Sequence, residues 1–383
     1  MPPISLKRER PAYQQIEGQL KRAIGAGKWP LGSSLPTVRV LAGQYGTSIS
    51  TIQAALDALA GDGLIERARG RGTFVRQMVP RLSSVGIYFG RDFLHSPEMA
   101  YSRELCRLLF DALEAEGVKY RFWADARPER RHGEPLEDLV KAVSKYEFQG
   151  LIVGEIDAVE LSWLSRLGIP FAAHAETPRS RVNYDFDQML KLGIEELKRQ
   201  GCRSIGAILP IPGHSPAGPV ACGDSSAMTE SFCNWVSDFR LTTRNSWMRI
   251  PRQWLLPREH EQFGYEQFRE IWRQPKRPDG LLVFPDTIVR GCVTAILESG
   301  VSVPEDLKLV LHRNEGIPAI CPLPASWLVS DLRALASALI AQLERQIQGR
   351  PATPVFLPHA LEPAESRQEQ PRKQPTTTTR KKK

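Results

Sequence analysis

The 383-residue sequence predicts an α/β protein in two parts: a small N-terminal winged helix-turn-helix and a larger two-lobed body of parallel sheets covered by helices. Three observations predict it. Residues 1–77 hold three short stretches of helical apolar periodicity and then a basic, glycine-bearing hairpin. Residues 84–362 alternate short apolar runs with amphipathic stretches, the pattern of parallel strands joined by helices. That body, about 280 residues long, exceeds one comfortable core, so two lobes are expected.

In the head, Tyr13, Ile16, Leu20, Ala23 and Ile24 fall on one helical face, and Gly25 and Gly27 end the stretch. A second helix is placed from Ser34-Leu-Pro36, with Ser34 as N-cap and Pro36 in the first turn, where a missing N–H costs little. Val38, Leu41 and Ala42 give it an apolar side, and Gly46 permits a tight turn. The third helix opens at Thr47 or Ser48 and buries Ile52, Ala55, Leu56 and Leu59. Ser48, Ile49, Ser50, Thr51 and Gln53 are left at its leading, exposed end. Leu64-Ile65 and Thr73-Phe-Val75 read as short strands joined through the basic tip Arg67 to Gly72. Two helices about a glycine turn, followed by such a hairpin, describe a winged helix-turn-helix. Gly70-Arg-Gly72 lacks the third glycine and helix of a dinucleotide fingerprint.

The segments PAYQQIEGQLKRAI, LPTVRVLA, STIQAALDALAGDGLI and RGRGTFV resemble the winged helix-turn-helix of the GntR family over residues 10–76. The resemblance implies a dimer on a pseudo-palindromic double-stranded operator. Arg39 is then expected on the DNA backbone or a base edge, Ser48, Ile49, Ser50, Thr51 and Gln53 at the groove, and Arg69, Gly70 and Arg71 in the wing. The family pattern commonly has Arg where this sequence has Ile49 and Gln53. Losing two cations lowers phosphate affinity and its salt dependence. Ile49 either packs against the neighbouring helix or meets a thymine methyl, and Gln53 suits adenine.

After a joint at 78–83, the body reads as a strand over 85–89, a helix over 99–116, and strands and helices alternating onward to a buried strand at 307–311. In open α/β sheets ligands sit at the carboxyl ends of strands, and two facing lobes make a cleft. FQGLIVGEID, RVNYDFDQMLKLGIEELKRQGCRSIGAIL, RPDGLLVFPDTIVRGCVTAILESGVSVPEDLKLVL and VSDLRALASALIAQLERQIQGRP resemble the LacI-type, periplasmic-binding-protein-like effector domain over nearly all of 84–362. A GntR-type head on this body is the AraR-like architecture. The resemblance implies a small-molecule effector, a sugar or sugar derivative, in the cleft, and dimerisation partly through the body. Its ligand positions fall on Phe89, Gly90, Asp286, Arg313, Asn314 and Asp331. Arg313 stands where the family often has Asp. Ser225 to Phe232 lacks the family's Arg–aromatic pair. Both departures leave open a degenerate or non-sugar pocket. Asp331 lines the cleft or caps the last helix, and His174 and His312 read as satisfied surface histidines.

Charge follows the same division. Residues 1–80 hold eleven Lys/Arg against five Asp/Glu, the tail 363–383 seven against two, and the middle is slightly acidic. A basic head on an acidic body suits a polyanion partner. The tail's low hydrophobicity predicts disorder. Six cysteines without a CxxC pair suit reduced thiols, and the charged N-terminus lacks a signal-peptide core, so a cytoplasmic protein without membrane contact is expected. P-loop, HExxH and GxSxG motifs are absent from the sequence, as is the pattern of a PLP-type domain that a GntR-headed enzyme would carry. No enzymatic activity, cofactor or metal is expected.

Overall fold

The structure, a computed structural model, describes residues 11–25, 28–68, 70–76, 82–93, 99–145, 147–175, 180–210, 223–252 and 255–364. Arg69, the joint at 78–81, nearly all of the Pro/Gly-rich stretch 209–223 and the tail from 365 lie outside these residues. The chain divides into two compact units, 1–97 with 102–183 and 333–356, and 98–101 with 184–332 and 357–383.

The head, within the first unit, contains α1 (Ala12–Gly25), α2 (Val38–Tyr45), α3 (Ile49–Gly61) and the antiparallel pair β1 (Ile65–Ala68) and β2 (Gly72–Val75). Ile16, Leu20, Leu41, Ile52, Ala55, Leu56 and Leu59 are fully buried and form one core with Leu64, Ile65 and Val75. The second helix starts later than its sequence suggests. Thr37 is its N-cap, accepting from the Val40 amide at 3.4 Å. Ser34 bridges to Phe74 instead, and the Leu35 amide donates to the Thr73 carbonyl at 2.8 Å. Residues 33–35 thus add an extended edge to the wing, and backbone pairing outcompetes the cap that Ser34 offers. Gly46, at φ 60°, closes α2 in the left-handed conformation glycine favours.

The remainder of the first unit is built on a four-stranded parallel sheet, ordered β4-β3-β5-β6: β3 (Ser84–Phe89), β4 (Lys119–Ala124), β5 (Leu151–Gly154) and β6 (Phe171–His174). The helices α4 (Ala100–Ala115), α5 (Glu137–Ser144) and α6 (Ala158–Ser165) connect its strands. Helix α11 (Leu332–Ile347) returns to this unit. There a Cβ at Gly150 would meet Leu343, and Gln346 Nε2 donates to the Phe171 carbonyl at 2.7 Å.

The second unit holds a six-stranded sheet ordered β14-β12-β11-β10-β8-β9, parallel except for the edge strand β14. Its strands are β8 (Ile205–Ile208), β9 (Met248–Arg249), β10 (Gly280–Val283), β11 (Lys308–Asn314), β12 (Ser326–Ser330) and β14 (Ala360–Glu362). Helices α7 (Phe186–Arg199) and α8 (Gly223–Asp238) border one core, with Leu282, Val310 and Leu328. Helices α9 (Pro257–Trp272) and α10 (Asp286–Glu298) border the other, with Leu281, Val283, Leu309 and Leu311. Strand residues therefore alternate between two buried faces, as parallel sheets require. Two short strands, β7 (Val182–Tyr184) and β13 (Val355–Leu357), pair where the chain passes between units. No described helix is long and apolar enough to cross a membrane.

Helices α9 and α10 cross at two glycines. A methyl group on Gly291 would run into the Glu261 carbonyl, and one on Gly264 into the Ile288 carbonyl. Both obstacles are backbone, so neither can swing aside. Gly291→Ala should force the helices apart and lower unfolding free energy by about 2 kcal/mol, as overpacking does, measured by denaturant titration.

Candidate DNA interface and strand-end sites

The leading end of α3 is organised by its cap. Ser48, in extended conformation, accepts the Thr51 amide at 3.2 Å. Its Oγ also lies 2.8 Å from Ser50 Oγ and 2.7 Å from Thr51 Oγ1. Ile49 is 47% exposed, while Ile52, Ala55, Leu56 and Leu59 take the core. The packed alternative for Ile49 is therefore not the one the fold adopts. Gln53 is exposed one turn later. The helix contains no Lys or Arg, and its only charge, Asp57, forms an ion pair with Arg67 of β1. In the wing, Gly70 and Gly72 have φ of 75° and 114°, and Arg71 between them is exposed. Arg39 is exposed on the first turn of α2. Neither Arg39 nor Arg71 has a carboxylate partner among the described residues. Arg69 lies outside the described residues.

In the first unit, Phe89 and Gly90 end β3 inside packed surroundings. The Phe89 ring is 1% exposed and meets Phe93 edge-on, centroids 4.9 Å apart. A Cβ at Gly90 would run into the Glu160 carboxylate and the Glu155 carbonyl. Around Gly90 lies a polar nest that the sequence reading did not find. Arg91 Nη1 reaches the Gly90 carbonyl at 2.7 Å, His132 Nδ1 at 2.7 Å and Glu160 Oε2 at 3.2 Å. Since the guanidinium can only donate, His132 Nδ1 accepts and its Nε2–H donates to the Arg127 carbonyl at 2.9 Å. Arg127 grips Asp125 through Nε at 2.9 Å and Nη2 at 2.7 Å. The Tyr88 hydroxyl stands between Asp125 at 3.0 Å and Glu160 at 3.1 Å. Asp157 caps α6, and the Glu160 carboxyl accepts the Asp157 amide, completing a capping box. The D-x-x-E spacing of Asp157 and Glu160 is a sequence signal for the start of α6, though not for the nest around it.

Proton counting identifies the odd member. One tyrosine proton cannot serve two carboxylates, and two guanidiniums face three carboxyl groups. Burial raises the Asp125 carboxyl, but the Arg127 fork outweighs it and holds Asp125 below its ordinary range. Burial dominates at Glu160, against the pull of Arg91 and the Asp157 amide, and pushes it up to about 7.

In the second unit, Asp286 opens α10 just beyond β10, and its amide donates to His312 Nδ1 at 3.1 Å. His312 Nε2 then donates to Ser330 Oγ at 2.9 Å. Burial raises the Asp286 carboxyl against a hydrogen bond from Asn314, and Asn314 is 3% exposed at the end of β11. His312 is buried, not superficial, because its position on β11 faces the sheet interior beside Phe284, centroids 4.3 Å apart. Arg313 points to the opposite face, and its Nη2 reaches both Glu362 oxygens at 2.7 Å. Its charge is thus met by β14. Asp331 is exposed before α11, and its carbonyl accepts from Tyr184 at 2.9 Å. His359 is buried beside Tyr184, centroids 5.1 Å apart, and burial pulls its imidazole down to about 4. His174 Nδ1 donates to the Val182 carbonyl at 3.0 Å, a satisfied histidine as its sequence context suggests. The structure therefore brings Asp286, Asn314, His312 and Ser330 together at neighbouring strand ends and sends Arg313 elsewhere.

This is the arrangement of a winged helix-turn-helix joined to a binding-protein-like α/β body. Residues 12–75 match the bacterial regulatory proteins of the gntR family, and residues 194–366 match the periplasmic binding protein-like domain. The head is thus similar to a gntR-type helix-turn-helix domain and the second unit to a periplasmic-binding-protein-like domain. It is 46% identical over 65 residues to the uncharacterized HTH-type transcriptional regulator YdfD of Bacillus subtilis, covering 17% of this chain and 14% of YdfD. It is 22% identical over 320 residues to the arabinose metabolism transcriptional repressor of Geobacillus stearothermophilus, covering 78% of this chain and 81% of the repressor. The chain spans less than two thirds of the length of most curated relatives it matches. Its fold is like that of the lac repressor dimer bound to operator and the anti-inducer ONPF, with a TM-score of 0.54 and 18% identity over 74% of this chain and 94% of that one.

Glu160 makes stability depend on pH. A carboxyl raised from 4.5 to about 7 contributes stability that is full below about pH 4.5 and is lost as pH rises through 7. Denaturant unfolding at pH 5 and pH 8 should show the native protein losing about 3 kcal/mol that Glu160→Gln does not lose. Ser48→Ala should cost the head about 1 kcal/mol, seen as a lower melting temperature.

Proposed function

We propose that the protein is a transcription regulator that binds a pseudo-palindromic operator as a homodimer and acts as a repressor. A small molecule, a sugar or sugar derivative, controls its operator affinity from the strand ends of the body. The observation that carries the reading is the exposed leading end of α3 beside an exposed Arg71 between two left-handed glycines, in a chain whose body is binding-protein-like. A helix N-terminus of this size enters the major groove, and its amides favour phosphate. Arg39, Arg69 and Arg71 are the phosphate contacts, and Ser48, Ile49, Ser50, Thr51 and Gln53 line the groove. Asp286 and Asn314 are the effector contacts that the geometry favours. The repressor of arabinose metabolism and the lac repressor dimer, bound to operator and an anti-inducer, support this reading. A regulator of this kind works in the cytoplasm.

One observation favours a second reading, in which the pocket takes something other than a neutral sugar. Gly90 is closed by Glu160, and the first unit's strand ends are occupied by their own ionic nest. That would shift recognition onto the second unit.

A thermal-unfolding screen of sugars, sugar acids and sugar phosphates separates the two. A compound at 100 times its dissociation constant stabilises its domain by about 2.7 kcal/mol and should raise the midpoint saturably. A shift with neutral sugars supports the first reading, a shift with acids or phosphates alone the second, and no shift with any compound removes the effector claim. Ile49→Arg should steepen the salt dependence of operator binding by about one unit of slope per protomer in a filter-binding series.

A further inference from the structure

We infer that α3 reads its operator through one methyl group and one amide. Each half-site carries a thymine whose 5-methyl seats against Ile49 and, one or two base pairs away, an adenine hydrogen-bonded by Gln53, with no guanine read by the helix. The inference rests on the DNA-binding reading above and adds the base chemistry.

Three observations narrow the choice. Guanine is read from the major groove by Arg or Lys on O6 and N7, and α3 carries neither. The three hydroxyls that could substitute are tied to one another. Ser48 Oγ lies within 2.8 Å of both Ser50 and Thr51 and also accepts the Thr51 amide. Ser48 is committed to the cap, whereas Ser50 and Thr51 each use one of their three hydrogen-bonding sites on it; a hydroxyl donates or accepts equally well, so neither selects a single base. The exposed side chains of the helix with one preferred base each are Ile49, at 47% exposure, and Gln53, which is exposed and has no hydrogen-bond partner among the described residues.

Each of these side chains has one good match. A β-branched side chain is stiff and apolar, and the thymine methyl is the only apolar group on a major-groove base edge. A primary amide presents an N–H donor beside a carbonyl acceptor; the first donates to adenine N7 and the second accepts from the N6 amino group. Ile49 and Gln53 are four residues apart, so they share a helical face with Cβ atoms about 5–6 Å apart. Base pairs rise about 3.4 Å, which puts the two contacts one or two steps from each other.

The test uses the full-length protein and a duplex that the protein itself enriches from a randomised pool. Each thymine is replaced in turn by deoxyuridine, which deletes only the methyl, and each adenine by 7-deazaadenine, which deletes only the N7 acceptor. One thymine per half-site should lose affinity on the order of fourfold as uracil, the worth of one buried methyl, and about fifteenfold when both half-sites are changed. Ile49→Ala, a change at an exposed position, should bind the thymine and uracil duplexes equally. Gln53→Ala should become indifferent to 7-deazaadenine at one adenine per half-site. If every uracil duplex binds like its parent, or Ile49→Ala still distinguishes thymine from uracil, the inference falls while the regulator reading stands. A pool that yields no enriched sequence overturns the regulator reading and this inference with it.

Discussion

A parallel sheet buried on both faces leaves little room for polar side chains except at its strand ends. That constraint organises the body. Along β10 and β11 the residues alternate between two apolar cores. The hydrogen-bonding groups collect at the carboxyl ends of the strands: Asp286 after β10, His312 and Asn314 in the last residues of β11, Ser330 at the end of β12. In the first unit the same constraint gathers Arg91, Asp125 and Asp157 just past β3, β4 and β5. The two sets of strand ends differ in kind. The first is an ionic nest of two guanidiniums and three carboxyl groups, and the second sets the Asp286 carboxyl beside hydrogen bonds about two imidazoles that burial keeps uncharged.

Much of this was legible in the residues. The periodicity of α1 and α3 gave the head core correctly down to Ile16, Leu20, Ile52 and Leu59. The Gly46 turn and the Ser48 cap followed from local chemistry. The long helices from α7 onward carry strong amphipathic patterns, and the fold class rests on them. The short strands β7, β9, β13 and β14 were not legible. Each has two or three paired residues, and their identity as strands comes from a distant neighbour and not from their own sequence. Ser34 shows the same competition at one residue. It has the chemistry of a helix cap, but the wing's backbone offers it a ladder.

The site residues divide in the same way. Asp286 and Asn314, picked out by the resemblance to the LacI-type effector domain, stand at neighbouring strand ends. The direction of Arg313 was not legible, because a one-residue step along β11 turns its side chain to the opposite face. Its pairing with Glu362 depends on an antiparallel edge strand 49 residues further on. The Glu160 nest was invisible for a related reason. Its members are spread from Tyr88 to Glu160, and only the sheet brings them together. The capping-box spacing marks Asp157 and Glu160 as helix-terminal residues, but nothing local announces that Tyr88 and Arg91 lie against them.

The cap hydroxyls of α3 also bear on how such a protein can change over time. Ser48, Ser50 and Thr51 maintain the start of the helix, whereas Ile49 and Gln53 stand clear of the core. Residues that hold the fold and residues free to vary thus alternate within six positions. A substitution at 49 or 53 leaves the head's packing intact, so a lineage can explore new target sites without passing through unfolded intermediates. A substitution at 48 has no such freedom. The same short helix is conservative at one position and evolvable at the next.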